Sequence, residues 1–257
     1  MCGRYASSRK PDDLIEEFEI DQSEVKETLA PDYNVAPTKE VYAVVERPPR
    51  SAGEDDKQDQ PTQRQLRVLK WGLIPFWAKD PAIGNRMINA RMETVDEKPA
   101  YRKAFASRRC LLPADGYYEW YQTDQETKSG KPLKQPFFIH PEDGGVMAMA
   151  GLYEIWRDPT RADDDPDRFR WTCTVLTTSA EDELGHIHDR MPLLVERDRY
   201  AAWLDPTVSD PRDLKALLVP AAPGRLEAYP VSTQVNNVRN NGPELLEPLA
   251  VEPPDPA

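Results

Sequence analysis

Six runs along the chain carry the apolar, β-branched and aromatic density of strands: 40–47 (EVYAVVER), 65–74 (QLRVLKWGLI), 108–121 (RRCLLPADGYYEWY), 135–140 (QPFFIH), 146–156 (VMAMAGLYEIW) and 170–179 (RWTCTVLTTS). Four stretches around them read as helices: 11–20, 98–107, 196–204 and 209–220, the last opened by Ser209 as a cap and Pro211 in its first turn. Strands dominate the middle of the chain and helices its ends. With no fixed-period repeat and no regular βαβ alternation, the fold class is α+β: a largely antiparallel or mixed β-sheet, barrel-like at its core, with flanking helices.

Two polar segments interrupt the pattern. Residues 48–64 (PPRSAGEDDKQDQPTQR) join two strand candidates and read as a flexible hairpin extension, and 122–134 (QTDQETKSGKPLK) as a second loop. Neither marks a domain boundary. Residues 1–250 are therefore expected to form a single domain with flexible acidic insertions near 48–64 and 158–169, and 251–257 a disordered tail.

No run of about 18 apolar residues appears, so no membrane-spanning segment is expected. The first ten residues lack the apolar core of a secretory signal, which points to a cytoplasmic protein. Cys2, Cys110 and Cys173 are too few and too scattered for a disulfide framework or a paired-cysteine metal site.

The net charge of −12 argues on its face against a nucleic-acid partner. The acids concentrate, however, in 51–60, 161–170 and the tail, whereas residues 67–110 hold ten Lys or Arg against Asp80, Glu93, Asp96 and Glu97, a local +6.

Four stretches carry reactive or phosphate-seeking groups. In CGRY, Arg4 sets a permanent cation two residues from the Cys2 thiol; by itself the stretch is equally a frayed terminus. In residues 71–94, Asn89 and Arg91 share one side of an extended segment, with Ala90 behind. Phe76 and Trp77 stand in a Pro-bounded loop where they either stack on bases or join the core. In 111–121, Glu119 lies among aromatics, where burial would raise its carboxyl pKa toward a usable acid or base; a salt-bridged structural carboxylate fits as well. In 185–195, His186 and His188 alternate, with Arg190 following. A zinc reading lacks ligands beyond the distant His140, so no metal and no cofactor is expected.

Taken together, MCGRY, YNVAPT (33–38), WGLIPFW (71–77), INARMET (88–94), PADGYYEW (113–120) and HDRMP (188–192) resemble the motifs of the SRAP family, the abasic-site processing proteins. They cover most of the chain in the family's order. The resemblance implies that Met1 is removed and that Cys2 crosslinks to the aldehyde of an abasic site in single-stranded DNA as a thiazolidine. Glu119 would take the amine proton, Asn89 would hold the sugar hydroxyl or the N-terminus, and His188 would protonate the ring oxygen as the sugar opens. Arg4 would favour the thiolate and, with Arg91 and Arg190, grip phosphates. Phe76, Trp77 and Pro37 would stack on or wedge bases.

A monomer, associated with the nucleoid when crosslinked, is expected. Weak strand cleavage by β-elimination is an implied side activity. A Cys-dependent peptidase and a non-catalytic single-strand binding module are the alternatives. Asn236, Asn237 and Asn240 either complete the site or cap turns.

Overall fold

The computed structural model describes residues 2–48, 61–126, 129–130, 132–180, 182–220 and 224–249. Its strands are β1 (Tyr5–Ser7), β2 (Gln22–Ser23), β3 (Asp32–Val35), β4 (Glu40–Arg47), β5 (Gln63–Trp71), β6 (Asn89–Arg91), β7 (Arg109–Ala114), β8 (Gly116–Glu126), β9 (Pro132–Pro141), β10 (Met147–Arg157), β11 (Phe169–Ser179), β12 (Arg190–Pro192) and β13 (Leu226–Pro230). Four short α-helices accompany them: α1 (Pro11–Glu17), α2 (Arg102–Ser107), α3 (Tyr200–Leu204) and α4 (Pro211–Ala216).

Antiparallel neighbours β11, β10, β7, β4 and β5 form a sheet that closes into a barrel where β5 returns parallel to β11, Lys70 opposite Thr172 and Trp71 opposite Cys173. Alternation along these strands explains why the barrel is stable. Val41, Ala43, Val45, Leu69, Cys110, Leu112, Met149, Cys173 and Val175 fill its interior. The intervening Tyr42, Val44, Leu66, Leu111, Ala150, Leu152 and Leu176 face outward under Leu14 and Phe18 of the α1 region, Phe105 of α2, Trp203 of α3 and Leu214 of α4. A second antiparallel sheet, in the order β13, β9, β8, β1, β3, leans on the barrel.

The predicted mixed, barrel-like α+β architecture is the one found, with four local corrections. The run 108–121 is two strands: the chain leaves the barrel at Asp115, whose carboxylate accepts from the Ser8 amide and Arg9, and Gly116 enters the second sheet. Only glycine fits there, because a Cβ would sit 2.3 Å from the Phe138 ring. The supposed loop 122–134 is largely a ribbon, with Gln122 opposite Lys134 and Glu126 opposite Pro132; backbone pairing extends the hairpin although its side chains, the exposed Leu133 apart, are mostly polar. Of 48–64, residues 63 and 64 already belong to β5, and 49–60 lie outside the described residues. Asp210, not Ser209, caps α4, its carboxylate accepting from the Arg212 amide. Residues 158–168 form a turn in which Asp158 accepts from Thr160 and Arg170.

Arg109 joins helices to barrel. It is 2% exposed and donates to the carbonyls of Phe105, Ala106, Trp203, Asp205 and Val208, closing the C-terminal ends of α2 and α3 onto β7. Replacing Arg109→Met takes the guanidinium donor from all five carbonyls, of which those of Phe105 and Trp203 are bonded in the buried interior. The expected loss is about 3–5 kcal/mol, read as a fall in the urea midpoint with an unchanged m-value.

Candidate active site

Cys2 is fully buried at the mouth of the barrel. It is carried there by β1, whose Tyr5 packs edge-on against Trp71 at 5.1 Å and pairs with Tyr117 and Val35. Asn89 anchors it: Nδ2 donates to the Cys2 carbonyl at 2.8 Å. Asn89 opens β6, which runs parallel to β11 with Asn89 opposite Val175, and Tyr101 Oη donates to its carbonyl at 3.1 Å. Ala90 is in the core and Arg91 exposed, as the alternation requires. Asn89 Oδ1 is buried and accepts no hydrogen bond, so an acceptor beside Cys2 awaits a donor.

Glu119, on β8, is 3% exposed, and its Oε2 lies 4.0 Å from His188 Nε2. Burial pushes its carboxyl pKa up, opposed in part by the charge of the chain's N-terminus and then by His188. His188 Nδ1 accepts from the Arg190 backbone amide at 3.0 Å; the Asp189 carboxylate is equally near but largely exposed. Accepting from the amide at Nδ1 leaves Nε2 to carry the proton on the side of Glu119, whereas the Asp189 carboxylate, which can only accept, draws a proton to Nδ1.

One expectation is reversed. Burial, and next the charge of Glu119, push the Cys2 thiol pKa up, not down. Arg4 does not stabilise a thiolate because its guanidinium is engaged elsewhere: Nη1 donates to Asn34 Oδ1 at 2.6 Å and to the Val235 carbonyl at 2.9 Å, and the group lies 5.7 Å from the Trp120 ring centroid.

Arg4, Glu119 and His188 line one open cleft of about 400 Å³ together with Trp120, Lys134 and Asn236. The opening has a topological cause. β1 pairs with β8 only at Tyr5–Tyr117 and Ala6–Gly116, so β8 loses that neighbour where Glu119 and Trp120 follow. Asn34, fully buried in the YNVAPT turn, secures the rim: its Nδ2 lies within 3.0–3.2 Å of the carbonyls of Val235, Asn237 and Asn240. Within that segment Asn236 Oδ1 accepts from Trp120 Nε1 at 2.6 Å. Asn34, Trp120 and Lys134 carry no signal in the sequence reading, whereas Asn236, open there between completing the site and capping a turn, lines the cleft. The asparagine-rich run 236–241 was the available signal for the last.

The other residues expected to touch DNA do not line this cleft. Arg190 donates to both Glu93 oxygens and to Thr177, so it reaches a phosphate only by giving up Glu93. Phe76 and Trp77 are half exposed, with Lys103 Nζ 4.4 Å from the Phe76 ring centroid. Pro37 lies in the turn between β3 and β4, next to Thr38, whose amide donates to the Trp71 carbonyl. Among the described residues no cluster of three or more His, Cys, Asp or Glu could hold a metal ion, and no helix is long and apolar enough to cross a membrane.

A family model described as SOS response associated peptidase (SRAP) matches residues 1–238. The chain belongs to the SRAP family. Abasic site processing protein YoqW of Bacillus subtilis (strain 168) is 40% identical over 247 residues, 96% of this chain and 99% of its own. Abasic site processing protein YedK of Escherichia coli (strain K12) is 30% identical over 254 residues, 97% of this chain and 100% of its own. A crystal structure of a Bacteroides thetaiotaomicron protein shares the SRAP chain's fold, with a TM-score of 0.77 at 24% identity over 97% of this chain and 100% of that one.

The Glu119 environment in this SRAP chain has a stability signature. Its carboxyl holds a proton in the folded state at pH values where the unfolded chain has released it, so stability falls as pH rises from the ordinary carboxylate value through the raised one. Glu119→Gln removes that penalty. The variant is expected to melt above the parent at pH 7.5 and to lose this advantage at pH 4, where the carboxyl is neutral in both states. No gain at pH 7.5 would mean that attraction to the N-terminal charge and His188 outweighs burial.

Proposed function

We propose that this protein captures abasic sites in single-stranded DNA covalently through Cys2, once Met1 has been removed. The relatives named as abasic site processing proteins support the substrate. The observation that carries the reading is the Asn89 hydrogen bond, which holds Cys2 where Glu119 perturbs its thiol and His188 faces Glu119.

Freed of Met1, Cys2 is a 1,2-aminothiol. The abasic sugar opens as its C1′ hydroxyl loses a proton and O4′ gains one, the second supplied by His188 Nε2–H. The amine nitrogen then attacks the C1′ aldehyde, with Glu119 accepting the nitrogen's proton, and loss of water leaves an imine. The Cys2 sulfur adds to the imine carbon, its proton passes to the nitrogen, and a five-membered thiazolidine closes. Overall one water is released, and no oxidant or reductant is consumed.

Burial orders these steps. A thiol with a raised pKa remains S–H and leaves the first attack to the amine. The same property disfavours a peptidase that needs a standing thiolate. The buried, unpartnered Asn89 Oδ1 is suited to accept from the amine or from a sugar hydroxyl. The imine stage also allows β-elimination of the 3′ phosphate, so weak strand cleavage is proposed as a side activity of the same site.

Met1-free protein incubated with a single strand carrying one abasic site should give a heat-resistant, shifted band on a denaturing gel. Cys2→Ala, and protein whose intact mass shows Met1 retained, should give none. Glu119→Gln should slow capture by roughly 10²–10⁴-fold. A band that survives Cys2→Ala would sink the reading.

A further inference from the structure

The cleft carries two cations that the capture chemistry itself does not use. Arg4 is fixed by protein contacts on one side only: Nη1 is held by Asn34 and Val235, and Nη2 makes no hydrogen bond among the described residues. Trp120 limits the swing of the guanidinium plane. Lys134 is exposed and has no ion-pair partner among the described residues. The register places it on the Trp120 face of the ribbon, since Gln122 is opposite Lys134 and Trp120 opposite Pro136. Asn236 lines the same space, and because its Oδ1 accepts from Trp120, its Nδ2 remains as a donor.

We infer that this cleft receives a sugar aldehyde bearing a terminal phosphate monoester, with Arg4, Lys134 and Asn236 on the phosphate and the aldehyde carbon at the Glu119 and His188 end, facing Cys2. Cys2 is buried behind that lining, beside Glu119. The inference rests on the capture reading above and names a substrate class for the same site. Charge favours it: a monoester carries close to two negative charges and three terminal oxygens, against one charge for an internal phosphodiester. One anchored cation, one exposed cation and an amide donor match the first better. Size agrees, since about 400 Å³ is near the lower end of small-ligand clefts and suits one sugar with its phosphate. Two sources share this chemistry: a free aldose 5-phosphate, and a 5′-terminal abasic residue at a strand break. The covalent step is the one above, aldehyde plus amine plus thiol giving thiazolidine and one water.

The test uses Met1-free full-length protein, with adducts read by intact mass as the aldehyde less one water. 2-Deoxyribose 5-phosphate is compared with 2-deoxyribose 5-methyl ether, because both are barred from closing to a pyranose and differ in the phosphate. The phosphate should accelerate capture by about tenfold or more, the scale of one charge-assisted hydrogen bond. Inorganic phosphate should slow the phosphorylated arm selectively, and Lys134→Ala should narrow the ratio between the two sugars. Oligonucleotides ending in a 5′ abasic residue, with and without the 5′ phosphate, distinguish the sources: acceleration there assigns strand ends, and acceleration only with the free sugar assigns the small molecule.

A strand with an internal abasic site runs in parallel. If that strand crosslinks while the phosphate gives no acceleration in either pair, the phosphate subsite is wrong and the Cys2 reading stands. If that strand fails to crosslink, the Cys2 reading falls and this inference with it.

Discussion

The parallel edge of β11 is the constraint on which the rest depends. β5 pairs with it at Thr172 and Cys173, which closes the barrel, and β6 pairs with it again from Val175 to Thr177. Between these contacts residues 72–88 leave the sheet and return to the same edge. The return is possible because Gly72, at φ +128°, meets Gly84 backbone to backbone; a Cβ on either would sit within 2.7 Å of the other's carbonyl oxygen. Asn89 therefore lands one step beyond barrel closure, at the mouth, where it holds the Cys2 carbonyl. Closure of the fold and placement of the reactive residue are one event.

The same mouth is where burial works against charge. Both the Cys2 thiol and the Glu119 carboxyl are pushed up chiefly by desolvation, and each charged form would raise the other further. A protein selected for stability alone would place neither group there. For the proposed capture, the arrangement disfavours a thiolate on the sulfur and raises the carboxyl above its ordinary value, toward the role of a proton acceptor from the amine. His188 contributes a ring whose Nδ1 faces the Arg190 amide and the Asp189 carboxylate and whose Nε2 is turned toward Glu119.

Periodic patterning located the strands well because barrel strands face two cores and so read as apolar over most of their length. It failed where backbone geometry decides. The crossing from one sheet to the other at Asp115 is invisible in an apolar run, and the 122–134 ribbon is held by main-chain bonds that composition does not report. Cys2, Asn89, Glu119 and His188 were legible from their motifs and do come together. The role expected of Arg4 beside the thiol was not met, since adjacency in sequence says little about where a long side chain points. Asn34 and Trp120 gave no such signal, and the choice left open for Asn236 could not be made, because their relationship spans segments far apart in the chain.

The locally basic stretch 67–110 needs the same care. Arg109 is spent on carbonyls, Arg108 on Glu154, and Arg67 lies over Trp171 and near Glu24, so these cations belong to the scaffold. Lys79, Arg86, Arg91, Lys98, Arg102 and Lys103 remain exposed, in the same stretch as the half-exposed Phe76 and Trp77. That is enough to orient a strand, not to hold it firmly against the repulsion of a chain of net charge −12. With three phosphate contacts, affinity for a single strand falls roughly 20-fold between 50 and 200 mM salt, at a slope of about −0.7 per phosphate. A bond to the sugar carbon is indifferent to salt. Covalent capture is thus the form of retention that suits an acidic protein with a small cationic cleft.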